Sequence, residues 1–124
     1  MHKRILLVDD SAPTRGLVRE ALESRSGLEV CGEAGDGLEG VEKVLELEPD
    51  LVILDLSMPR MNGLQAALVL REIMPETPII LFTVFMDSMI SRLAHNAGVA
   101  SVVSKTDQLT ALTDEVQKLT GSEN

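Results

Sequence analysis

VILDLSMPRMNG, residues 52–63, runs an apolar segment straight into Asp55 and then into a loop carrying Pro59, Asn62 and Gly63. With Leu51 in front, the run is four residues long and uninterrupted. That is the pattern of a strand covered on both faces, as in a parallel sheet flanked by helices. The acid that ends it is the informative residue. Burying an unpaired carboxylate costs several kcal/mol, so such an acid is paired, bound to a cation, or held at a wet edge.

Outward from this strand the same pattern repeats. Ile5–Val8 reads as a first strand, Leu28–Gly32 as a second, Ile79–Phe82 as a fourth and Ser101–Val103 as a fifth. Amphipathic stretches lie between them. Ser11 and Pro13 open a helix with Leu17, Val18, Ala21 and Leu22 on one face. Leu38, Val41, Val44 and Leu45 follow the Gly35-Asp36-Gly37 turn and stop before Pro49. Leu64, Ala67, Leu68 and Val69 mark a third helix, and Met86, Met89, Ile90, Leu93, Ala94 and Ala97 a fourth. Leu109, Leu112, Val116 and Leu119 mark a fifth. Five strands alternating with five helices define an α/β (βα)5 domain, a doubly wound parallel sheet with helices on both faces. Residues 1–120 are expected to form this one domain, with 121–124 a frayed tail.

Ligands in such sheets collect beyond the carboxyl ends of the strands. There the sequence puts Asp9-Asp10, Asp55, Thr83 and Ser104-Lys105, with the less distinctive Glu33 further out. Two carboxylates ~5 Å apart repel by roughly 1 to 3 kcal/mol, so three together require a cation. Oxygen donors without nitrogen or sulfur select Mg²⁺, which favours one or two carboxylates, waters and a phosphate oxygen. One Lys and one Thr beside the acids suit the remaining phosphoryl oxygens. No Walker-type glycine loop is present, and the Gly35-Asp36-Gly37 turn lacks dinucleotide spacing. Asp55 itself therefore reads as a nucleophile that becomes an aspartyl phosphate.

Bulk properties narrow the classes further. The 124 residues carry a net charge of −9 and contain neither Trp nor Tyr. Direct nucleic-acid binding by this domain is not expected, because it needs basic residues to neutralise phosphates. No apolar run approaches the ~20 residues of a membrane span, and Ile5–Val8 is too short for a signal-peptide core. The cytoplasm is the expected location. Cys31, the single cysteine, is expected to be a buried structural thiol. The Met86, Met89, Ile90 stripe is expected to be core. His2 and His95 lack ligand spacing, and Glu42, Glu46 and Glu48 read as a solvated face.

Leu7-Val8-Asp9-Asp10-Ser11, the stretch from Asp55 to Gly63, Phe82-Thr83, and Ala97-Gly98 leading to Lys105 occur in order over nearly the whole chain. In this the sequence resembles bacterial two-component response-regulator receiver domains, most closely those of NarL/FixJ type. The resemblance implies a flavodoxin-like strand order of 2-1-3-4-5. It implies that Asp55 accepts a phosphoryl group from a sensor histidine kinase. Mg²⁺ would be held by Asp10, Asp55 and the backbone carbonyl of Ser57, with Asp9 acting mainly through water. Thr83 and Lys105 would contact the phosphoryl group, while Ser57 and Phe85 would tune its hydrolysis. It further implies an output surface within residues 86–119, able to bind an effector or a second copy, and a DNA-binding domain commonly following such receivers.

Three positions depart from the family pattern. Val102 replaces the aromatic switch residue on the fifth strand, Val84 a small residue after the switch threonine, and Thr106 the proline after the lysine. A cis peptide at 105–106 is accordingly not expected. These departures leave a phosphorylation-independent interaction module as the alternative function. A phosphohydrolase using the same aspartyl chemistry would carry a second acid two residues after the nucleophile, where this chain has Ser57. The chain is therefore expected to promote its own phosphoryl transfer and dephosphorylation without being a separate enzyme.

Overall fold

Each apolar run forms a strand and each amphipathic run a helix in the computed structural model, which describes residues 2–122. The strands are β1 (Lys3–Val8), β2 (Leu28–Ala34), β3 (Leu51–Leu54), β4 (Ile79–Thr83) and β5 (Ser101–Ser104). The helices are α1 (Ala12–Glu23), α2 (Gly37–Leu47), α3 (Gly63–Ile73), α4 (Ser88–Asn96) and α5 (Leu109–Thr120). All strand pairs are parallel, in the order β2-β1-β3-β4-β5.

Side chains alternate across a strand, so each strand feeds two cores. Ile5 and Leu7 pack with Val18 and Leu22 of α1 and with Leu112 and Val116 of α5. Leu6 and Val8 pack on the opposite face with Val44 of α2, Ala66 and Leu70 of α3, and Ala94 of α4. β3 is buried throughout because it lies at the centre of the sheet.

Four helices begin at a side-chain cap on the carboxyl edge of the sheet. Ser11, Asp36, Asn62 and Asp87 accept from the amides of Thr14, Glu39, Gln65 and Ile90. Gln65 returns a bond to the Asn62 amide, completing a capping box. Such caps contribute ~1 kcal/mol each and fix where each loop ends.

Several expectations are corrected. Cys31 is half-buried, because β2 is an outer strand with a neighbour on one side only; the burial it has pushes its thiol pKa up. Met86, Met89 and Leu93 are exposed, and Ile90 is partly buried. α4 starts at Ser88, after the Asp87 cap, so Met86 lies in the preceding loop. Leu17, Leu38, Leu45 and Leu68 also face outward, at the margins of helix faces wider than the sheet covers. β2 continues to Ala34 and β5 to Ser104. In the expected tail, Gly121 caps α5 in a left-handed conformation (φ 72°), and Glu123 and Asn124 lie outside the described residues.

Candidate phosphoacceptor and metal site

The parallel ladder runs one residue past three strand ends and so sets the backbone of the site. The Asp9 amide donates to the Ala34 carbonyl (3.0 Å), Asp55 to Val8 (2.8 Å) and Lys105 to Thr83 (2.9 Å). Each side chain thus leaves from a pinned peptide at the carboxyl edge. The stretch beginning at Val52 adds its last residue to this arrangement. A Cβ on Gly63 would overlap the Asp55 carbonyl, and the Gly63 amide donates to Leu56 (2.9 Å). Glycine is required here by close approach, not by an unusual φ.

Asp9, Asp10 and Asp55 offer carboxylate oxygens that lie within 4.8 Å of one another. Asp9 and Asp55 are buried and Asp10 is exposed, leaving an open side to the cluster. Lys105 Nζ sits 2.6 Å from Asp9 Oδ2 and 3.3 Å from Asp55 Oδ2. It also lies 5.7 Å from the centroid of the Phe82 ring. Burial, followed by the Asp9 charge, raises the Asp55 pKa; Lys105 and the Ser57 amide oppose this without cancelling it. Burial disfavours the Lys105 ammonium, but its bond to Asp9 and the Asp55 charge outweigh that, and its pKa is raised.

The donor set fits Mg²⁺: three carboxylates converge, one exposed, with no nitrogen or sulfur ligand among them. One lysine leaves the cluster with more negative charge than positive, the imbalance a divalent ion would correct. Asp9, Asp10 and Asp55 are the residues that would hold it.

Thr83 is fully buried, and its Oγ1 accepts from the Phe85 amide (3.0 Å). Ser57 is exposed, two residues beyond Asp55, and its amide favours the Asp55 carboxylate. Val84 and Phe85 are exposed, so Val84 projects outward. Val102 is partly buried against the α2–α4 core. Where the family proline is missing, the Ser104 hydroxyl accepts from the Thr106 amide (3.1 Å) and lies 2.7 Å from the Thr106 hydroxyl. This turn shapes the chain after Lys105, and no peptide among the described residues is cis.

Two features were not read from sequence. Arg15 and Arg19 of α1 converge on Glu33 at the end of β2. Arg60, at φ 63°, pairs with the Asp36 cap of α2 (2.8 Å), and the Gly37 amide donates to Met61 (3.0 Å). The loop after Asp55 is thereby tied to a second helix.

Comparison with known proteins agrees with this geometry. The family model for the response regulator receiver domain matches residues 5–117, and the chain belongs to that family. It is 35% identical over 119 residues to the chemotaxis protein CheY of Thermotoga maritima, covering 96% of this chain and 98% of that protein. It is 44% identical over 99 residues to a protein-glutamate methylesterase/protein-glutamine glutaminase of Pyrococcus abyssi. That match covers 80% of this chain but only 24% of the relative, so the chain corresponds to about a quarter of such an enzyme. The signal receiver domain of NarL from Mycobacterium tuberculosis superposes with a TM-score of 0.92 at 28% identity, covering 99% of this chain and 100% of that one. The NarL-type resemblance and the 2-1-3-4-5 order both hold. No helix among the described residues is long and apolar enough to cross a membrane.

Proposed function

We propose that this receiver domain is a phosphorylation-controlled switch in which Asp55 accepts a phosphoryl group from the phosphohistidine of a sensor histidine kinase. The observation that carries the reading is the convergence of three carboxylates with Lys105 bridging Asp9 and Asp55. An Asp55 oxygen attacks phosphorus, the P–O bond forms, and the P–N bond breaks with its electron pair returning to the imidazole. Mg²⁺, when bound, supplies charge neutralisation for the acids and the incoming phosphoryl group.

The chain's own residues do the rest. The pinned Asp55 peptide holds the nucleophile in place, so little freedom is lost at the moment of attack. Lys105 is already within reach of Asp55 and can donate to a phosphoryl oxygen while keeping Asp9 as a partner. The Thr83 hydroxyl can donate to another oxygen. Any rotation of Thr83 disturbs its bond to the Phe85 amide, and that loop leads into the exposed apolar residues of α4. This route to the surface does not need an aromatic ring at position 102. A 99:1 reversal of two conformers requires ~5.5 kcal/mol of differential stabilisation, within the reach of several charge-assisted bonds. The output surface lies within residues 86–119 and serves an effector or a second copy; the cytoplasm is the setting.

The test is transfer of labelled phosphoryl from acetyl phosphate, with Mg²⁺ and with EDTA. Label is expected on the wild type with Mg²⁺, and none on Asp55→Asn. Label that persists on Asp55→Asn would refute the assignment.

A further inference from the structure

We propose that Arg15 is a positioning residue for the acidic cluster: it locks the Asp9–Asp10 peptide and so aims the Asp10 carboxylate at the cation. The proposal rests on the reading of Asp9, Asp10 and Asp55 as a Mg²⁺ site. The Arg15 guanidinium uses two of its edges. Its Nη1 donates to the Asp9 backbone carbonyl, and its Nε donates to Glu33 Oε1 (2.8 Å). The second Glu33 oxygen is held by Arg19 through Nε (2.9 Å) and Nη2 (2.8 Å). Partial burial works against the Glu33 carboxylate, but its bonds to Arg19 and Arg15 prevail and lower its pKa. Arg15 is therefore braced from behind by a charged partner and is itself mostly buried.

The carbonyl it grips belongs to the peptide that leads into Asp10. Asp9 is already fixed through its amide, on the Ala34 carbonyl, and through its Oδ1, which accepts from the Ser11 amide (2.9 Å). A peptide unit is planar, so holding the Asp9 carbonyl also holds the direction in which the Asp10 Cα leaves it. The Asp10 side chain is exposed and gains little aim from packing, so its backbone does the aiming. Only a guanidinium offers donors in a rigid fork that spans both partners; an ammonium at the same place cannot reproduce it.

Charge and position predict opposite signs, which makes the idea testable. Removing a cation beside a metal site tightens binding of Mg²⁺ if only charge matters. Removing a positioning group weakens it, and partners behind metal ligands are typically worth 10–100-fold in affinity. Mg²⁺ binding would be measured by calorimetry on the wild type, Asp10→Asn, Arg15→Met and Arg15→Lys, with thermal midpoints taken in EDTA. Arg15→Met is expected to bind Mg²⁺ about 10-fold more weakly, with Arg15→Lys between it and the wild type. The metal-free midpoints should not follow that order. Binding by Arg15→Met as tight as wild type, or tighter, while Asp10→Asn is impaired overturns the positioning role and leaves the metal site standing. Undiminished binding by Asp10→Asn removes the site reading itself, and this proposal with it. Should Arg15→Met fail to fold, Arg15→Lys decides: its charge is unchanged, so weaker binding supports the role and equal binding overturns it.

Discussion

At the ends of β1 and β3 almost every group that could move is tied down, whereas at the end of β4 few are. Asp9 and Asp55 are buried, their amides continue the sheet, and Gly63 packs α3 directly on the Asp55 carbonyl. Past β4, by contrast, Val84, Phe85 and Met86 are about half exposed, at 56%, 53% and 48%, and α4 fully buries only Ala94. The two regions meet at Thr83, whose hydroxyl accepts from the Phe85 amide. Holding several like charges together needs a stiff frame. Changing a surface in response needs a segment whose rearrangement costs little, and such segments come from the least packed parts of a fold.

The contrast predicts, first, a large difference between two truncations. Leu54→Ala empties a fully buried site beside Asp55 and should cost ~2–5 kcal/mol. Met89→Ala, on exposed α4, should stay within ~0.5 kcal/mol. Urea denaturation measures both, and comparable losses would break the contrast.

A smaller effect should come from charge at the rigid end. The Asp55 pKa is raised in the fold, so its contribution favours folding while it is protonated and is lost as pH rises through the folded value. At neutral pH its ionisation opposes folding. Asp55→Asn should therefore raise the thermal midpoint in EDTA by a few degrees, and Mg²⁺ should stabilise the wild type more than the variant. A midpoint lowered by the substitution would show that the Lys105 contact outweighs the repulsion.

The smallest effect belongs to Glu33, whose partial exposure lets solvent screen its charge. Its lowered pKa stabilises the fold above the ordinary glutamate value of 4.5, and that contribution disappears as pH falls below it. As pH falls from about 5 through the lowered folded value, the wild type should lose more stability than Glu33→Gln, by less than ~1 kcal/mol. Parallel acid-denaturation curves would mean the arginine clamp adds nothing to stability.

The residues read most easily from sequence share one property: they directly follow strands. Asp9, Asp55 and Lys105 come next after β1, β3 and β5, and Asp10 follows Asp9, so knowing the sheet is parallel is enough to bring them together. Arg15 and Glu33 meet across 18 positions on different elements. Nothing in composition selects Glu33 as the partner of a long, flexible Arg. Helical periodicity found the α1 and α2 faces through Val18, Leu22 and Val44. It does not say how much of each face the sheet covers, and Leu17 and Leu45, which share those faces, are exposed. Apolar spacing extends through Met86 and so predicts it as part of α4. The Asp87 cap, a local polar bond that spacing does not register, starts the helix two residues later.

Under the proposed function, a phosphoryl group received at the stiff end is felt at the loose one through Thr83. Amide NMR shifts on adding Mg²⁺ and beryllofluoride, which mimics a phosphoryl group on a carboxylate, test it most directly. Changes are expected around Asp55 and also at Phe85 and along residues 86–93, with the latter lost in Thr83→Val. Changes confined to the neighbourhood of Asp9, Asp10 and Asp55, with Phe85 and α4 unmoved, would contradict it and favour a module that binds its partners whatever the state of Asp55.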